Sequence, residues 1–372
     1  MREDWDIRLF KDVFDLQMGK TPDRKNFSLF EGDNTWVSIK DLDGKYISSS
    51  KECISDEAAK NIKLVKRGTV IMSFKLTVGK TAIAGKDLYT NEAIMAFNLR
   101  NGYDIDASFL YYYLKNYRWE GSNKAVMGIT LNKATISKHK IAIPPKPTQL
   151  SIVSELDKLN ELIRIKKEQL KDYDTLAQSI FYEMFGDPVV NDKKWEVKQL
   201  KDVSTLLNGR AYKQHELLDK GKYKVLRVGN FFTNSTFYYS DLELDDDKYC
   251  EYGDLLFAWS ASFGAFIWNG DKVIYHYHIW KVLFDKDCLN IQYYRYLLNT
   301  MTSFFMNDVH GIGMVHLTKS GMEQYDLPIP PLSLQHSFAH KIEQIERQKA
   351  AVQRTIKDLE TLLAVRMQYW FE

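Results

Sequence analysis

The chain has little cysteine, little proline and no long apolar run, and each shortage excludes a class of protein. Three cysteines in 372 residues are too few and too scattered for a disulfide framework or a cysteine-based metal site. No segment approaches the ~20 apolar residues of a membrane helix, and the N-terminal segment lacks the apolar core of a signal peptide. We therefore expect a soluble protein of a reducing cytoplasm, with no membrane contact.

Patterns typical of catalysis are also scarce. The sequence has neither a phosphate-binding loop nor a dinucleotide-binding glycine pattern. Two histidine pairs, His276 with His278 and His336 with His340, have no Cys or acidic residue at a recognised metal-ligand spacing. We therefore expect no catalytic residue, metal or cofactor on this chain.

The net charge of +2 argues neither for nor against a nucleic-acid partner. It is unevenly distributed, however. Residues 1–148 carry 24 Lys and Arg against 18 Asp and Glu, whereas residues 186–334 carry 16 against 19. Acids such as Asp241 and Glu243 must then lie away from the phosphates if the second half contacts DNA.

A long internal repeat is the main feature that is present. Residues 170–185, LKDYDTLAQSIFYEMF, return as residues 356–371, IKDLETLLAVRMQYWF, with five identities in sixteen positions. Ile143-Pro144-Pro145 returns as Ile329-Pro330-Pro331 at the same shift of 186 residues. A period this long indicates a duplicated domain followed by a duplicated connector.

The opening segment of each repeat also matches, at a shift of 190 residues. Trp5, Lys11-Asp12-Val13, Leu16 and Gly19 correspond to Trp195, Lys201-Asp202-Val203, Leu206 and Gly209. The two shifts differ by only four residues, so only a few loop residues have been gained or lost between the two copies.

Six of the eight prolines lie in two clusters, at residues 144–147 and 328–331. Each cluster precedes a stretch of heptad periodicity, which predicts two helices of roughly 36 residues, about 54 Å long at ~1.5 Å per residue. Thr148 and Ser333 are plausible N-caps, and Gly186 is typical of a helix end. Each apolar seam needs a partner, either the other helix of this chain or a helix of another subunit. The predicted helix-packing residues are Leu156, Ile163, Leu170, Ile342, Ile356 and Leu363.

Three basic residues, Lys166, Lys349 and Arg366, interrupt these seams. Their stems could lie along a seam edge with the charge in solvent, or they could fix register or face a partner subunit.

The intervening segments combine short β-branched runs with one helix each, over Ala107 to Tyr117 and Ile291 to Met301. The sequence therefore predicts two tandem α+β domains and two long helices that form an antiparallel coiled coil. The predicted bounds are residues 1–147, 148–186, 187–332 and 333–372.

Matched loops of the two domains differ in chemistry while their hydrophobic frame recurs. Lys and Arg can neutralise phosphates, and Arg, Asn, Ser and Lys can also read base edges. One scaffold that reads two different sequences would have this pattern. The candidate DNA-binding residues are Lys20, Lys40, Lys75, Lys80, Lys124, Lys133, Arg210, Arg227, Asn230, Ser260 and Lys319.

The opening Trp segment, the Ile-Pro-Pro sequence and the long helix occur in this order in both repeats. This repeated order resembles the specificity subunit of type I restriction-modification enzymes over essentially the whole chain. That family commonly has Glu-Gln after Pro-Pro, whereas here only Gln149 and Gln335 remain. The resemblance implies two target-recognition domains that each read half of a bipartite, asymmetric double-stranded DNA target, with the helices setting the spacer. It also implies docking of two methylase subunits and of restriction subunits. S-adenosylmethionine, ATP and Mg would then be bound by those partners.

Two other functions stay open at the level of sequence. One is a helical scaffold or adaptor that contacts no DNA. The other is a stand-alone nuclease, which rests on Glu196 and Lys198 downstream of Asp187, a spacing that often arises by chance.

Overall fold

The computed structural model describes residues 5–119, 131–233, 235–306 and 317–372, together with the backbone of 123–125 and 128–130. The chain forms two compact units. Unit 1 comprises Met1–Lys167 and Arg354–Glu372, and unit 2 comprises Glu168–Gln353. Unit 1 is therefore built from two separate stretches of sequence.

Unit 1 is an α+β unit with a five-stranded sheet, a three-stranded sheet and two two-stranded ribbons. The strand order of the five-stranded sheet is Phe14–Met18, Ile94–Leu99, Val70–Ser73, Thr81–Ala84 and Tyr46–Ile47, and that of the three-stranded sheet is Glu52–Ile54, Asn34–Val37 and Tyr89–Thr90. One ribbon pairs Asp6–Leu9 with Lys140–Ile143, and the other pairs Asn123–Ala125 with Gly128–Thr130. Its short helices are Phe10–Val13, Phe27–Phe30, Ile39–Asp41, Asp56–Ala59, Ala107–Asn116 and Lys133–Lys138.

Unit 2 repeats this plan with two four-stranded sheets and one ribbon. The strand order of the first sheet is Ser204–Asn208, Ile279–Phe284, Leu255–Ser260 and Ser262–Ile267, and that of the second is Tyr238–Ser240, Tyr223–Leu226, Val273–Tyr275 and Tyr249–Cys250. The ribbon pairs Glu196–Gln199 with Asp326–Ile329. Its short helices are Leu200–Val203, Gln214–Glu216, Val228–Phe232, Asp246–Lys248, Ile291–Thr300, Thr302–Phe305 and Lys319–Met322.

The predicted domain helices are present as Ala107–Asn116 and Ile291–Thr300. Each begins at a side-chain cap, because the carboxylate of Asp106 and the amide oxygen of Asn290 accept N–H groups of the first turn. The predicted α+β class is confirmed in both units.

Two helices of 40 residues each, Lys146–Phe185 and Leu332–Phe371, follow the proline clusters. They begin earlier than the sequence predicts, because the carbonyls of Pro145 and Pro331 already accept helical N–H bonds. Thr148 and Ser333 therefore lie within the first turn, and the prediction that they are N-caps is wrong. Gly186, at φ +76°, ends the first helix as expected.

In unit 1, the start of the first long helix packs antiparallel to the end of the second. Arg366 forms a two-pronged ion pair with Glu155, and Trp370 Nε1 donates to the same carboxylate at 3.0 Å. Twelve residues further along the first helix, Lys167 contacts Glu360, which lies earlier in the second helix, at 2.7 Å. The second helix also adds Leu363, Met367, Trp370 and Phe371 to the apolar core of the unit.

In unit 2, the remaining halves of the two helices also pack antiparallel. Lys349 contacts Asp174 at 2.7 Å, and Phe181 and Phe185 place their rings 5.7 and 5.3 Å from that of Phe338. Lys349 and Arg366 thus form ion pairs between the helices, in keeping with the hypothesis that they fix register. Such pairs add specificity of alignment more than stability.

The predicted helix-packing residues fall into three groups by exposure. Leu156 and Ile342 are fully buried, Ile163 and Ile356 are nearly so, and Leu170 and Leu363 are half-buried. The half-buried pair indicates that the seam opens to solvent in places. Among the described residues, no helix combines the length and apolarity needed to cross a membrane.

Gln149 is a buried polar side chain, 1% exposed, that joins the first long helix to unit 1. Its amide oxygen accepts the N–H of Asp106 at 2.8 Å, and its Nε2 donates to the carbonyls of Asp104 and Pro144, each at 3.0 Å. One side chain therefore connects the start of the long helix to the start of the domain helix.

Gln335 makes the same three contacts in unit 2 and is completely buried. Its oxygen accepts the N–H of Asn290, and its Nε2 donates to the carbonyls of Cys288 and Pro330, all at 2.8 Å. The glutamine that follows each Pro-Pro pair is thus a structural link between helix and domain.

Candidate nucleic-acid interface

Gly19 and Gly209 occupy equivalent positions where two backbones meet. A Cβ at Gly19 would lie 2.2 Å from the carbonyl oxygen of Thr90, and one at Gly209 would lie 2.4 Å from that of Tyr275. Only glycine fits such an approach. The next residues, Lys20 and Arg210, are therefore held against these neighbouring strands.

A matched helical turn follows in each unit. In unit 1 the Asp41 carboxylate accepts the backbone N–H of Ser38 at 2.8 Å. In unit 2 the Asn230 amide oxygen accepts the N–H of Arg227, also at 2.8 Å. In return, the N–H groups of Asp41 and Asn230 donate to the carbonyls of Ser38 and Arg227 at 3.0 and 2.9 Å, and this pairing fixes the short turns at Lys40 and Arg227.

Backbone hydrogen bonds link these segments to a hairpin and to a further loop. In unit 1, Phe74 N–H donates to the Ala93 carbonyl at 3.0 Å, and Leu131 N–H donates to the Phe74 carbonyl at 2.8 Å. Unit 2 contains the equivalent bonds. Trp259 N–H donates to His278, and Leu317 N–H donates to Trp259, each at 3.1 Å.

Five segments therefore converge in each unit, and we call the result a loop edge. The loop edge of unit 1 comprises residues 19–21, 38–41, 73–80, 90–93 and 131–133. The loop edge of unit 2 comprises residues 209–211, 227–230, 258–265, 275–278 and 317–319.

Both loop edges carry an unusual backbone conformation at the same hairpin position. Leu76 and Ala261 have φ of +62° and +64°, in the left-handed region that non-glycine residues seldom adopt. The two hairpin tips therefore share one backbone shape although their residues differ.

The hydrogen bonds also correct the loop alignment by one residue. Asn91 and His276 donate to Val37 and Leu226, respectively, in equivalent bonds. An alignment of the two repeats by sequence pairs Glu92 with His278, but these hydrogen bonds pair Glu92 with Tyr277.

Five of the six predicted DNA-binding residues of unit 1 lie on its loop edge. Lys20, Lys40, Lys80 and Lys133 are exposed. Lys75 is half-buried, with its Nζ 5.5 Å from the centre of the Phe74 ring. Lys124 lies in strand Asn123–Ala125, of which the structure describes only the backbone.

Arg210, on the loop edge of unit 2, forms a two-pronged ion pair with Glu216 at 2.9 and 2.8 Å. The hydrogen bonds from Arg210 and from the Lys213 N–H lower the pKa of Glu216 to about 2. Arg210 is therefore held in place at neutral pH, and its guanidinium is already engaged.

Arg227 is exposed and stacks over Tyr238, with its guanidinium carbon 5.2 Å from the ring centre. Lys319 is exposed at the start of helix Lys319–Met322, with Glu323 at 3.7 Å. Both cations can reach a ligand in front of the loop edge.

Two predicted contacts of unit 2 have other roles. Ser260 is 1% exposed within strand Leu255–Ser260, so the prediction that it contacts DNA is wrong. Asn230 uses its amide to cap the turn and to donate to the Ser235 carbonyl at 2.7 Å. Its main contribution is to position Arg227.

A concavity of about 350 Å³ opens on the loop edge of unit 2, lined by Arg227, Thr236, Tyr238, His276 and His278 among others. From the sequence alone, these histidines were considered only as metal ligands. Their place in the repeated loop pattern was the signal that could have assigned them to the interface. The concavity offers aromatic and imidazole groups beside one arginine, a combination suited to base edges.

Burial lowers the pKa of His276 from 6.5 to about 4, and the charges of His278 and Arg227 add to the shift. His276 is therefore neutral in folded unit 2 between pH 4 and 6.5, where the unfolded chain is protonated.

Unfolding of unit 2 should consequently take up about one proton near pH 5. The free energy of unfolding of unit 2 therefore keeps its full value above pH 6.5, where His276 is neutral in both states. It decreases as the pH falls towards 4, because the unfolded chain gains a proton on His276 that the folded unit does not bind. Denaturant unfolding of His276→Gln should show a weaker pH dependence across this range than wild type. The exposed His215→Gln is the matched control, and an equal effect of both variants would contradict the assignment.

Metal and nuclease chemistry find little support in the described ranges. They contain no group of three or more His, Cys, Asp or Glu residues that could hold a metal ion. Glu196 and Lys198 lie on one ribbon strand, 3.8 Å apart, and Asp187 instead caps the turn that follows the first long helix.

Two α+β units with matched loop edges, each completed by antiparallel long helices, define a duplicated recognition protein. The family model of the type I restriction modification DNA specificity domain matches the chain twice, over residues 2–172 and 192–361. The chain belongs to this family, as the sequence resemblance predicts.

Characterised relatives agree with this assignment. The chain is 25% identical to the type I restriction enzyme MjaIX specificity subunit of Methanocaldococcus jannaschii, over 90% of this chain and 85% of the relative. It is 20% identical to the EcoBI specificity subunit of Escherichia coli over 45% of this chain and 36% of that protein.

Solved structures share the fold at low sequence identity. A chain from a structure on assembly and conformational transition of the type I R-M system aligns with a TM-score of 0.66 and 17% identity, covering 100% of this chain and 98% of the other. The S subunit of a type I system from M. genitalium aligns with a TM-score of 0.52 and 13% identity, covering 99% and 96%.

Proposed function

We propose that this chain is the DNA-recognition subunit of a type I restriction-modification complex and that each unit reads one half of a bipartite, asymmetric target. The observation that carries the proposal is the pair of loop edges. Equivalent backbone hydrogen bonds hold them, yet their exposed side chains differ. Identical frames with different side chains are what two unlike half-sites require.

The charge distribution supports DNA contact by both units. The edge of unit 1 presents exposed lysines, which suit phosphates. The more acidic unit 2 places Asp241 and Glu243 beside Lys222, at the opposite end of strand Tyr223–Leu226 from Arg227. The length of this strand therefore separates these acids from Arg227.

The partners of the proposed complex are double-stranded DNA, two methylase subunits and restriction subunits. Exposed apolar side chains on the long helices support docking of proteins there; they are Leu150, Leu162, Ile165, Leu362, Val365 and Tyr369 in unit 1 and Leu176 and Tyr182 in unit 2. S-adenosylmethionine, ATP and Mg would be bound by those subunits, and adenine methylation would take place there.

Mapping of methylated adenines in a host that carries this chain with its methylase tests the proposal. We expect two different short motifs at a fixed gap. Binding of the methylase complex to a duplex with that target should weaken steeply with salt, since phosphate contacts release counterions.

A single motif, or methylation that does not depend on this chain, would contradict DNA reading by two units. Absence of DNA binding, with retention of methylase binding, would favour the helical scaffold. The nuclease hypothesis predicts that Glu196→Gln abolishes restriction in the full complex, whereas we expect no change.

A further inference from the structure

Glu92 is an exposed acid on a loop edge whose predicted DNA contacts are lysines. It lies in the turn between strands Tyr89–Thr90 and Ile94–Leu99. Neither its charge nor its position is used by the function proposed above, which assigns phosphate contacts to lysines. Its presence at the centre of this edge therefore requires an explanation.

The turn that carries Glu92 is fixed by its neighbours on the loop edge. The residue before it, Asn91, donates its N–H to Val37 at 3.0 Å, and the residue after it, Ala93, accepts the N–H of Phe74 at 3.0 Å. The backbone cannot move at this point without breaking bonds to two other segments of the edge. A side chain on such a support is pre-organised for recognition.

The carboxylate of Glu92 is also oriented. The Thr21 hydroxyl donates a hydrogen bond to it. The pKa of Arg24 is raised mainly by its hydrogen bond to Glu52 and to a smaller extent by the charge of Glu92. Glu92 thus lies beside Thr21 and within electrostatic reach of Arg24, where one lone pair direction is taken and others are left for a ligand.

A carboxylate in this place is repelled by DNA phosphates, and it lowers affinity for every sequence alike unless a base compensates for it. In the major groove, only cytosine and adenine present an amino group that a carboxylate can accept from. Guanine and thymine present O6 and O4, which repel it. An acid on this edge therefore attracts cytosine and adenine and repels guanine and thymine, and so discriminates between these two pairs of bases.

We infer that Glu92 is a specificity-determining residue of unit 1 that accepts a hydrogen bond from the exocyclic amino group of cytosine or adenine. This inference rests on the proposed DNA-reading function. The equivalent position in unit 2 is Tyr277, which is neutral and 38% exposed. The same rigid turn thus carries a different base-reading group in each unit.

Glu92→Gln tests the inference in the complete methylase complex. Glutamine keeps an acceptor for Thr21 or for a base amino group, and it adds a donor that guanine O6 or thymine O4 can accept. We expect methylated sites to gain guanine or thymine at one position of one half-site, with discrimination there reduced about tenfold or more. The other half-site should be unchanged.

Glu57→Gln is the matched control, because Glu57 is exposed on helix Asp56–Ala59, away from the loop edge. Tyr277→Phe should affect only the opposite half-site. Retained methylation at the wild-type sites shows that Glu92→Gln folds. An unchanged motif would overturn the inference while the bipartite wild-type motif still supported the proposed function. Uniformly weaker methylation with an unchanged motif would also overturn it, and would assign Glu92 to loop structure.

Discussion

Replacement of Gln335 by leucine should destabilise unit 2 by about 3 kcal/mol or more, because it leaves buried polar groups without partners. The variant removes the acceptor of the Asn290 N–H and the donor to the carbonyls of Cys288 and Pro330. Leucine has a similar volume, so the loss is in hydrogen bonding and not in packing. Hydrogen exchange on unit 2 amides measures the change.

The exposed Gln344 of the same helix supplies the control. Gln344→Leu should change stability by less than about 0.5 kcal/mol. Gln149→Leu should repeat the large effect in unit 1. A small effect of Gln335→Leu would show that water or rearranged backbone satisfies the three partners.

Phe181→Ala should cost unit 2 about 3 to 5 kcal/mol, the range for removal of a large buried aromatic side chain. Phe181 is completely buried, and its ring packs against those of Phe185, Tyr293 and Phe338. It therefore holds both long helices against the domain core. Urea unfolding monitored by tryptophan fluorescence checks this value.

Its neighbour Tyr182 is 43% exposed, and Tyr182→Ala is the matched control. We expect this variant to lower the free energy of unfolding by less than about 1 kcal/mol. Equal losses for Phe181→Ala and Tyr182→Ala would contradict the assignment of the stabilisation to the buried ring of Phe181.

The large-scale architecture was predictable because it rests on patterns that survive in the sequence alone. Apolar residues at helical spacing, such as Leu156 and Ile342, indicate buried seams wherever the partner lies. The beginning of each helix was predicted less well. The acceptor there is the carbonyl of Pro145 or Pro331, a backbone group that leaves no signature in residue type.

The loop edges were predictable as regions but not residue by residue. Ser260 has the chemistry of a DNA contact, yet strand register turns it inward, and a shift of one residue reverses the face of a strand. Glu92 was paired with His278 because loops gain and lose residues, and only hydrogen bonds restore the equivalence with Tyr277. Lys20 was predicted because Gly19-Lys20 recurs as Gly209-Arg210, whereas the close backbone approach that requires each glycine is visible only in the structure.

Unit 1 contains residues 354–372 at the end of the sequence. The order in which the chain leaves the ribosome therefore affects when unit 1 can complete its folding. Domains usually fold in the order of synthesis. Here, all of unit 2 has been translated before Leu363, Met367 and Trp370 exist to cover the core of unit 1. Unit 1 begins first in synthesis, but its core can be completed only after the whole of unit 2 has been made.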